Sequence, residues 1–511
     1  MNDTIKAAIG NVTPSQEQQT FLEWVLDGQG NTILKAVAGA GKTFTLRLAT
    51  QVIKQANPRA SIQVLVFAKK NADEMKGTFP EGVITSTLHS AWFGAYRKFA
   101  GNVQVDDKKI WNMLDLVLSK KYSEAEQSVK KQMYGAFIKK IIGYAKAEGV
   151  GYLCTDDTGT WEALIGFHGA TLDTKGASYS EAIEIAREVL AASITNKQVI
   201  DYDDMLFMPL VYDVTTWQKD WIFIDEAQDT NPVQRALVKR MMKRAGRLVA
   251  VGDPRQAIFG FRGATADALD QIQVSHNASV SPLSVTFRNP TSVVALAQEI
   301  VGNAIQAMPN AIEGEVNDYS ELPVDILTPA DVILCRNTAP LVKAAYQLIM
   351  NGIGCKILGR DIGAGLVKLI EKMKAKGIEA LIEKLGAWKD REVARAQAKD
   401  EDSLIQMIDD KYESIMAIID ILAENERTIP ALISKINGMF SDDANGGKLI
   451  TLATVHKSKG LEWDNVFIIR PDLMPSKWAK QQWMQEQEAN IQYVAYTRAM
   501  KTLNFVTAIE D

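Results

Sequence analysis

Short apolar, β-branched runs that stop at glycine-rich or acidic turns recur along the first half of the chain. Thr32-Ile33-Leu34 leads into Ala38-Gly39-Ala40-Gly41, and Val64-Leu65-Val66-Phe67 into a polar segment. Trp221-Ile222-Phe223-Ile224 stops at Asp225-Glu226, and Leu248-Val249-Ala250-Val251 at Gly252-Asp253. Continuous apolar strands followed by helix-like segments predict a parallel sheet covered on both faces. A later set, Val332-Ile333-Leu334, Lys356-Ile357-Leu358, Val466-Phe467-Ile468-Ile469 and Leu503-Asn504-Phe505-Val506, predicts a second such unit. A long helical stretch interrupts each set. In the second stretch Leu404, Met407, Ile408, Tyr412, Ile415, Ile419 and Leu422 recur at helical spacing and predict one apolar face. The expected fold class is α/β, with two parallel-sheet domains, 1–93 with 196–280 and 281–360 with 447–511. Each carries a mostly helical insertion, 94–195 and 361–446 respectively.

Composition changes this picture in one respect. The 511 residues include 57 Lys+Arg and 62 Asp+Glu, a net charge of −5, which argues against a grip on nucleic acid by bulk positive charge. Residues 361–446 hold 12 basic and 17 acidic side chains, so the whole deficit lies in the second insertion. That insertion is expected to avoid nucleic acid or to meet a basic surface, such as that of a protein partner. The first insertion carries the pairs Lys108-Lys109, Lys120-Lys121, Lys130-Lys131 and Lys139-Lys140. These either meet phosphates or form a solvated helical face. No apolar run is long enough to span a bilayer, and Met1-Asn2-Asp3-Thr4 begins no secretory leader. Cys154, Cys335 and Cys355 form no CxxC pair, so a reducing, cytoplasmic setting without a membrane partner is expected.

Candidate chemistry begins at Ala36-Val37-Ala38-Gly39-Ala40-Gly41-Lys42-Thr43, between a predicted strand and a predicted helix. Small residues at Ala38, Gly39, Ala40 and Gly41 let backbone N–H groups close around phosphate oxygens, aided by the helix N-terminus. Lys42 would reach the β- and γ-phosphates of ATP, and the Thr43 hydroxyl would bind Mg²⁺. Ala36 stands where the usual first glycine belongs, so the strict match is GKT. At the end of its strand, Asp225 places a carboxylate at the metal, and Glu226 is positioned as general base for an attacking water.

Further blocks resemble the UvrD/PcrA/Rep family of superfamily-1 DNA helicases. They are Asp225-Glu226-Ala227-Gln228-Asp229-Thr230-Asn231, the run Gly252 to Ala264, Thr286-Phe287-Arg288, the run Thr454 to Trp463, and Tyr493-Val494-Ala495-Tyr496-Thr497-Arg498-Ala499. Thr13-Pro14-Ser15-Gln16 looks like the adenine-reading motif; Phe67 to Met75 and Thr87-Leu88-His89-Ser90 look like early DNA-contact motifs. The resemblance implies two RecA-like motors with ATP in the cleft between them and single-stranded DNA across their tops. By that likeness Gln16 reads adenine, Phe287 stacks on it, and Glu462 contacts the ribose. Gln256 senses the γ-phosphate, and Arg288 and Arg498 act as arginine fingers. The implied DNA track is Phe67, Thr87, His89, Phe259, Phe261, Arg262, Thr454, His456 and Lys457; aromatic rings there can stack any base. Core packing is the alternative for Phe67 and Phe259, and a hydrogen-bonded core position that for His89 and His456.

The expectation is therefore an ATP- and Mg²⁺-dependent single-stranded-DNA translocase and helicase that also engages single/double-strand junctions. The block from Thr454 to Glu462 is more like the 3′→5′ branch than the RecD-like one. Departures stand beside this. Phe44 replaces a frequent arginine, Phe261 a frequent tryptophan, and the second insertion is short. The short insertion keeps open an alternative, an ATP-switched DNA-binding subunit of a repair, replication or defence assembly with little unwinding of its own.

Overall fold

The computed structural model describes the chain apart from residues 68–71, 74, 76, 173–175, 259–266, 398–401, 442–448, 481 and 509–511. Two compact units result: Met1–Ala36 with Gly41–Leu283, and Val37–Ala40 with Ser284–Asp511.

In the first unit the strands are β1 (Asn31–Ala36), β2 (Ile62–Val66), β3 (Val83–Thr87), β6 (Lys219–Ile224), β7 (Met242–Gly252) and β8 (Ala278–Leu283), with a short separate pair, β4 (Gln104–Val105) and β5 (Val199–Ile200). The six form one parallel sheet in the order β3-β2-β6-β7-β1-β8. Its centre consists of the apolar runs read from the sequence. All five residues of β2 are buried, as are the last four of β6, as befits strands covered on both faces. The edges β3 and β8 are half-polar and are not evident as strands in the hydrophobic pattern.

The helices Lys109–Lys121, Glu124–Glu148, Thr158–Phe167 and Tyr179–Thr195 lie between β4 and β5. The longest opens on a reciprocal Ser123/Glu126 capping box and ends at Gly149, whose φ of 76° suits only a residue without Cβ. These helices close around a core of their own that includes Leu114, Ile138, Ile141, Trp161 and Val189. The sheet's core, with Ile33, Ile222 and Leu248, is a separate cluster. Several lysines of the basic runs are spent inside this insertion. Lys121 pairs with Glu184 and Glu188, Lys130 with Glu181, and Lys131 with Asp115. Only part of the lysine-rich sequence therefore remains for phosphates.

The second unit contains β9 (Val285–Thr286) paired with β10 (Gln306–Ala307), and a seven-stranded parallel sheet. Its strands are β11 (Glu315–Tyr319), β12 (Val332–Cys335), β13 (Cys355–Leu358), β14 (Phe440–Ser441), β15 (Ile450–Thr454), β16 (Trp463–Ile469) and β17 (Ala499–Val506). The order is β11-β17-β16-β12-β15-β13-β14. The helices Arg360–Met373, Ile378–Gln397, Asp402–Asp420 and Ile429–Met439 fill the stretch between β13 and β14. Here sheet and helices share one core: Ile333, Leu341 and Leu452 belong to the same cluster as Leu381, Ile415 and Leu432. The expected apolar face of Asp402–Asp420 needs a correction. Met407 is 48% exposed, whereas Ile405 and Ile418, absent from the expected set, are buried. Covering that helix from two sides, by the Thr338–Met350 helix and by Ile378–Gln397, widens its buried stripe and moves it off Met407. Among the described residues no helix is long and apolar enough to cross a membrane.

Candidate functional site

Parallel strands deliver their C-terminal residues to one edge of the sheet, so β1, β6 and β7 bring Lys42, Asp225 and Asp253 together. The loop after β1 reaches the Lys42–Ala56 helix through Gly41 at φ 73°, and no side chain caps that helix. Its first-turn N–H groups remain for an anion. Lys42 Nζ lies 2.9 Å from Glu226 Oε1, yet among the described residues it has no hydrogen bond of good geometry. Burial disfavours the Lys42 charge, but Glu226, Asp225 and Asp253 outweigh burial and raise its pKa. Burial, reinforced by the Glu226 carboxylate, lifts Asp225 to about 6. Burial likewise raises Asp253.

Three carboxylates thus crowd one ammonium, a donor set with room for a further cation. No group of three or more metal-ligating side chains occurs among the described residues. A carboxylate oxygen such as those of Asp225 is the hard donor Mg²⁺ takes, one or two from the protein with water and phosphate completing its shell.

Glu226 adopts φ 53°, a left-handed conformation that is strained for glutamate. Its neighbours fix the carboxylate. Gln228 Nε2 donates to Glu226 Oε2 at 2.5 Å, while Gln228 Oε1 accepts from the Asp253 N–H at 3.2 Å. Gln256 Nε2 donates to Asp253 Oδ2 at 2.8 Å. A Cβ on Gly252 would lie 2.3 Å from Gln228 Oε1, so only glycine permits this approach. The hydrogen-bonded chain from half-buried Glu226 through buried Gln228 and Asp253 to Gln256 joins residues singled out in the sequence through two that were not. Two adjacent parallel strands that both end in Asp were the available signal. Gln16 is exposed on the first turn of its helix. Gln18, two residues on, is buried and donates to Thr45 Oγ1 at 3.0 Å.

The second unit brings Phe287 and Arg288 against residues 37–40, and Glu462 against Arg288. The Phe287 N–H donates to the Gly39 carbonyl at 2.9 Å, and the Ala38 N–H donates to Tyr493 Oη at 3.0 Å. A Cβ on Gly39 would lie 2.4 Å from Thr286 Oγ1. Arg288 is ion-paired with Glu462, and the Phe287 ring is 45% exposed. Arg498 is buried, donating to the carbonyls of Val494 at 2.9 Å and Leu461 at 3.0 Å.

Of the implied DNA track, Phe67 and His89 share one cavity of about 180 Å³ in the first unit with Tyr202, Thr230, Gln234 and Asp225. His89 stacks on Tyr202 with ring centroids 4.3 Å apart. Burial lowers the His89 pKa to about 4, so at neutral pH it is an uncharged ring. Phe67 and Tyr202 are 40% and 56% exposed, which leaves ring surface open to stacking. Tyr202 escaped the sequence reading because its neighbours Asp201, Asp203 and Asp204 look like a solvated acidic turn. Thr87 accepts from the Ser90 N–H at 3.1 Å and so caps the helix carrying His89. In the second unit Thr454 ends β15, His456 follows on a short helix, and Lys457 pairs with Asp361 at 2.6 Å. Phe259, Phe261 and Arg262 lie outside the described residues.

The chain is similar to known helicases. The UvrD/REP helicase N-terminal domain matches residues 15–277, and the UvrD-like helicase C-terminal domain matches 366–510. F-box DNA helicase 1 of Gallus gallus is 25% identical across 99% of this chain and 50% of its own length. F-box DNA helicase protein 1 of Schizosaccharomyces pombe is 24% identical across 96% of this chain and 57% of its own. ATP-dependent DNA helicase UvrD2 of Mycobacterium tuberculosis is 24% identical across 88% and 71% respectively. The chain therefore spans about half the length of the two F-box relatives. With both family domains matched in order across most of its length, and with the phosphate-loop lysine, paired acids and glutamine relay brought to one sheet edge, the chain belongs to the UvrD/REP helicase family.

Proposed function

We propose that the chain is an ATP-dependent DNA helicase that moves 3′→5′ along single-stranded DNA and engages single/double-strand junctions. One observation carries this reading. Asp225 belongs both to the Lys42/Glu226 cluster and to the wall of the cavity that holds Phe67, His89 and Tyr202. A nucleotide-dependent change at that carboxylate is thereby one residue away from the base-stacking rings.

In this reading residues 38–43 hold the phosphates of ATP, and Thr43 and Asp225 hold Mg²⁺, which when bound neutralises phosphate charge. Glu226 accepts the proton of the attacking water, held in place by Lys42 and Gln228. Gln256 reports the γ-phosphate through Asp253. Gln16 and Phe287 are assigned to the base and Glu462 to the ribose. Arg288 and Arg498 are assigned to the charge developing on the transferred phosphoryl group. For Arg288 this requires exchanging Glu462 for phosphate; for Arg498 it requires leaving its carbonyl partners.

Single-stranded DNA runs over Phe67, Thr87, His89 and Tyr202 in the first unit and over Thr454, His456 and Lys457 in the second. Phe259, Phe261 and Arg262 are assigned to the track by resemblance. The acidic 361–446 segment is assigned to a protein partner rather than to DNA.

The test is ATP hydrolysis with and without single-stranded DNA. Glu226→Gln is expected to cut the DNA-stimulated rate by about 10²- to 10⁴-fold. An unaffected mutant, or a rate indifferent to DNA, would overturn the assignment. Displacement from a 3′-tailed but not a 5′-tailed partial duplex tests the polarity.

A second reading, an ATP-switched DNA-binding subunit with little unwinding alone, draws support from the shared core of the second unit. A helical insertion fused into the sheet has less freedom to regulate unwinding as a separate body. DNA-stimulated hydrolysis without strand displacement would favour it.

A further inference from the structure

Three charged side chains, Lys109, Lys146 and Asp204, are buried together in the first unit, and a fourth, Asp201, is half-buried beside them. Lys109, the first residue of its helix, and Lys146, in the last turn of Glu124–Glu148, both come from the helical insertion. Their partners, Asp201 and Asp204, flank Tyr202. Lys109 Nζ lies 2.7 Å from Asp204 Oδ2, and both side chains are 0% exposed. Lys146 Nζ, 1% exposed, lies 2.5 Å from Asp201 Oδ2 and 2.8 Å from Asp204 Oδ1. The two aspartates also brace each other. The Asp204 N–H donates to Asp201 Oδ1 at 2.9 Å, and the Asp201 N–H donates to Asp204 Oδ2 at 3.1 Å.

Two ammoniums and two carboxylates balance in charge, but as a source of stability they are a poor choice. Apolar side chains of similar volume generally serve as well or better. What ion pairs with several directed contacts supply is a fixed geometry. The object fixed here is a four-residue turn whose second residue, Tyr202, stands in solvent. Its ring stacks on His89, and its carbonyl accepts from the Met205 N–H at 3.2 Å within the same turn.

We propose that Lys109 and Lys146 are positioning residues for the single-strand grip: by clamping Asp201 and Asp204 they hold Tyr202 against His89, so that the orientation of the first insertion sets how firmly a base is stacked. The proposal rests on the DNA reading of the Phe67/His89/Tyr202 cavity. It gives the first insertion a role that needs no contact between its lysines and DNA. It also accounts for Lys109, a member of the basic runs that is unavailable to phosphates.

The experiment compares binding of a short oligothymidylate with binding of an abasic oligonucleotide of the same length, by fluorescence anisotropy on the full chain. Tyr202→Ala is expected to weaken oligothymidylate binding about fivefold or more, with little change for the abasic strand. Asp201→Asn keeps the acceptor for the Asp204 N–H but loosens Lys146. It and Lys146→Met are each expected to reproduce a large part of the same base-dependent loss. Combined with Tyr202→Ala, neither should weaken binding further. Additive losses, or equal losses on both strands, would overturn the clamp, since a merely structural defect or a lost phosphate contact gives those results. If Lys146→Met fails to melt cooperatively, Asp201→Asn decides, and unchanged binding by it refutes the proposal. A Tyr202→Ala protein that binds both strands as the parent does removes the DNA reading itself, an outcome distinguishable from failure of the clamp.

Discussion

The two helical insertions solve the same topological problem in different ways. The first closes around an apolar core distinct from that of the sheet, and meets the sheet region at the helix Asp204–Val211, through Phe207 and through the Lys109, Lys146, Asp201 and Asp204 cluster. The second shares the core of its sheet: among the described residues Leu381, Ile415 and Leu432 pack in one cluster with sheet residues Ile333 and Leu452. An apolar core resists small displacements everywhere along its surface, because close-packed side chains leave no room for sliding. A polar joint is rigid only while its directed contacts hold. The first insertion is thus built as a body with a defined joint, and the second as an extension of its sheet.

The largest effect expected from this contrast lies in the cores. Ile415→Ala and Ile142→Ala should each cost about 2–5 kcal/mol locally, the usual range for such truncations. Hydrogen exchange should separate them. Ile415→Ala is expected to lower protection in β12 and β15 along with its own helix. Ile142→Ala should lower protection among the first insertion's helices and leave β2 and β6 unchanged. Equal spreading in both cases would erase the distinction between the insertions.

A smaller effect concerns acid. His168, in the first insertion, is buried and stacked on Tyr144 at 3.9 Å, and burial lowers its pKa to about 4. Its unfolded pKa is about 6.5, so between those values the unfolded state binds the extra proton and stability falls as pH falls. His168→Phe removes that dependence. Relative to its difference from the parent at pH 7.5, the variant should gain about 2 kcal/mol by pH 5, measured by chemical denaturation. A difference that is constant with pH would show that the imidazole keeps its ordinary affinity for protons.

The smallest effect is electrostatic. Lys131 is paired with Asp115 inside the first insertion, whereas no ion pair is found for Lys139 among the described residues. If the insertion meets phosphates, Lys139→Ala should reduce the salt slope of DNA binding by about one, and Lys131→Ala by less. Equal slopes for both would assign the lysine pairs to a solvated face.

The central strands were legible because burial on both faces forces unbroken apolar runs such as Val64-Leu65-Val66 and Ile222-Phe223-Ile224. Edge strands β3 and β8 were not, since one open side admits Thr, Ser and Pro. β15 is fully buried, but the resemblance had already claimed its last residue, Thr454, as part of a site motif. Lys42, Asp225 and Glu226 could be read because their chemistry demands those residue types at strand ends. Gln228 and Asp253 became meaningful only when β6 and β7 were found adjacent.

Sequence alone determined the α/β class and the two-unit plan, because strand burial acts through local residue order, and it singled out Lys42, Asp225 and Glu226, which the fold brings together. It also located the acidity in 361–446. Tertiary structure decided which lysines are spent internally, that Tyr202 meets His89, and that one insertion keeps its own core while the other joins its sheet. Those outcomes depend on contacts between residues far apart in the chain, such as Lys109 with Asp204, and no local pattern records them.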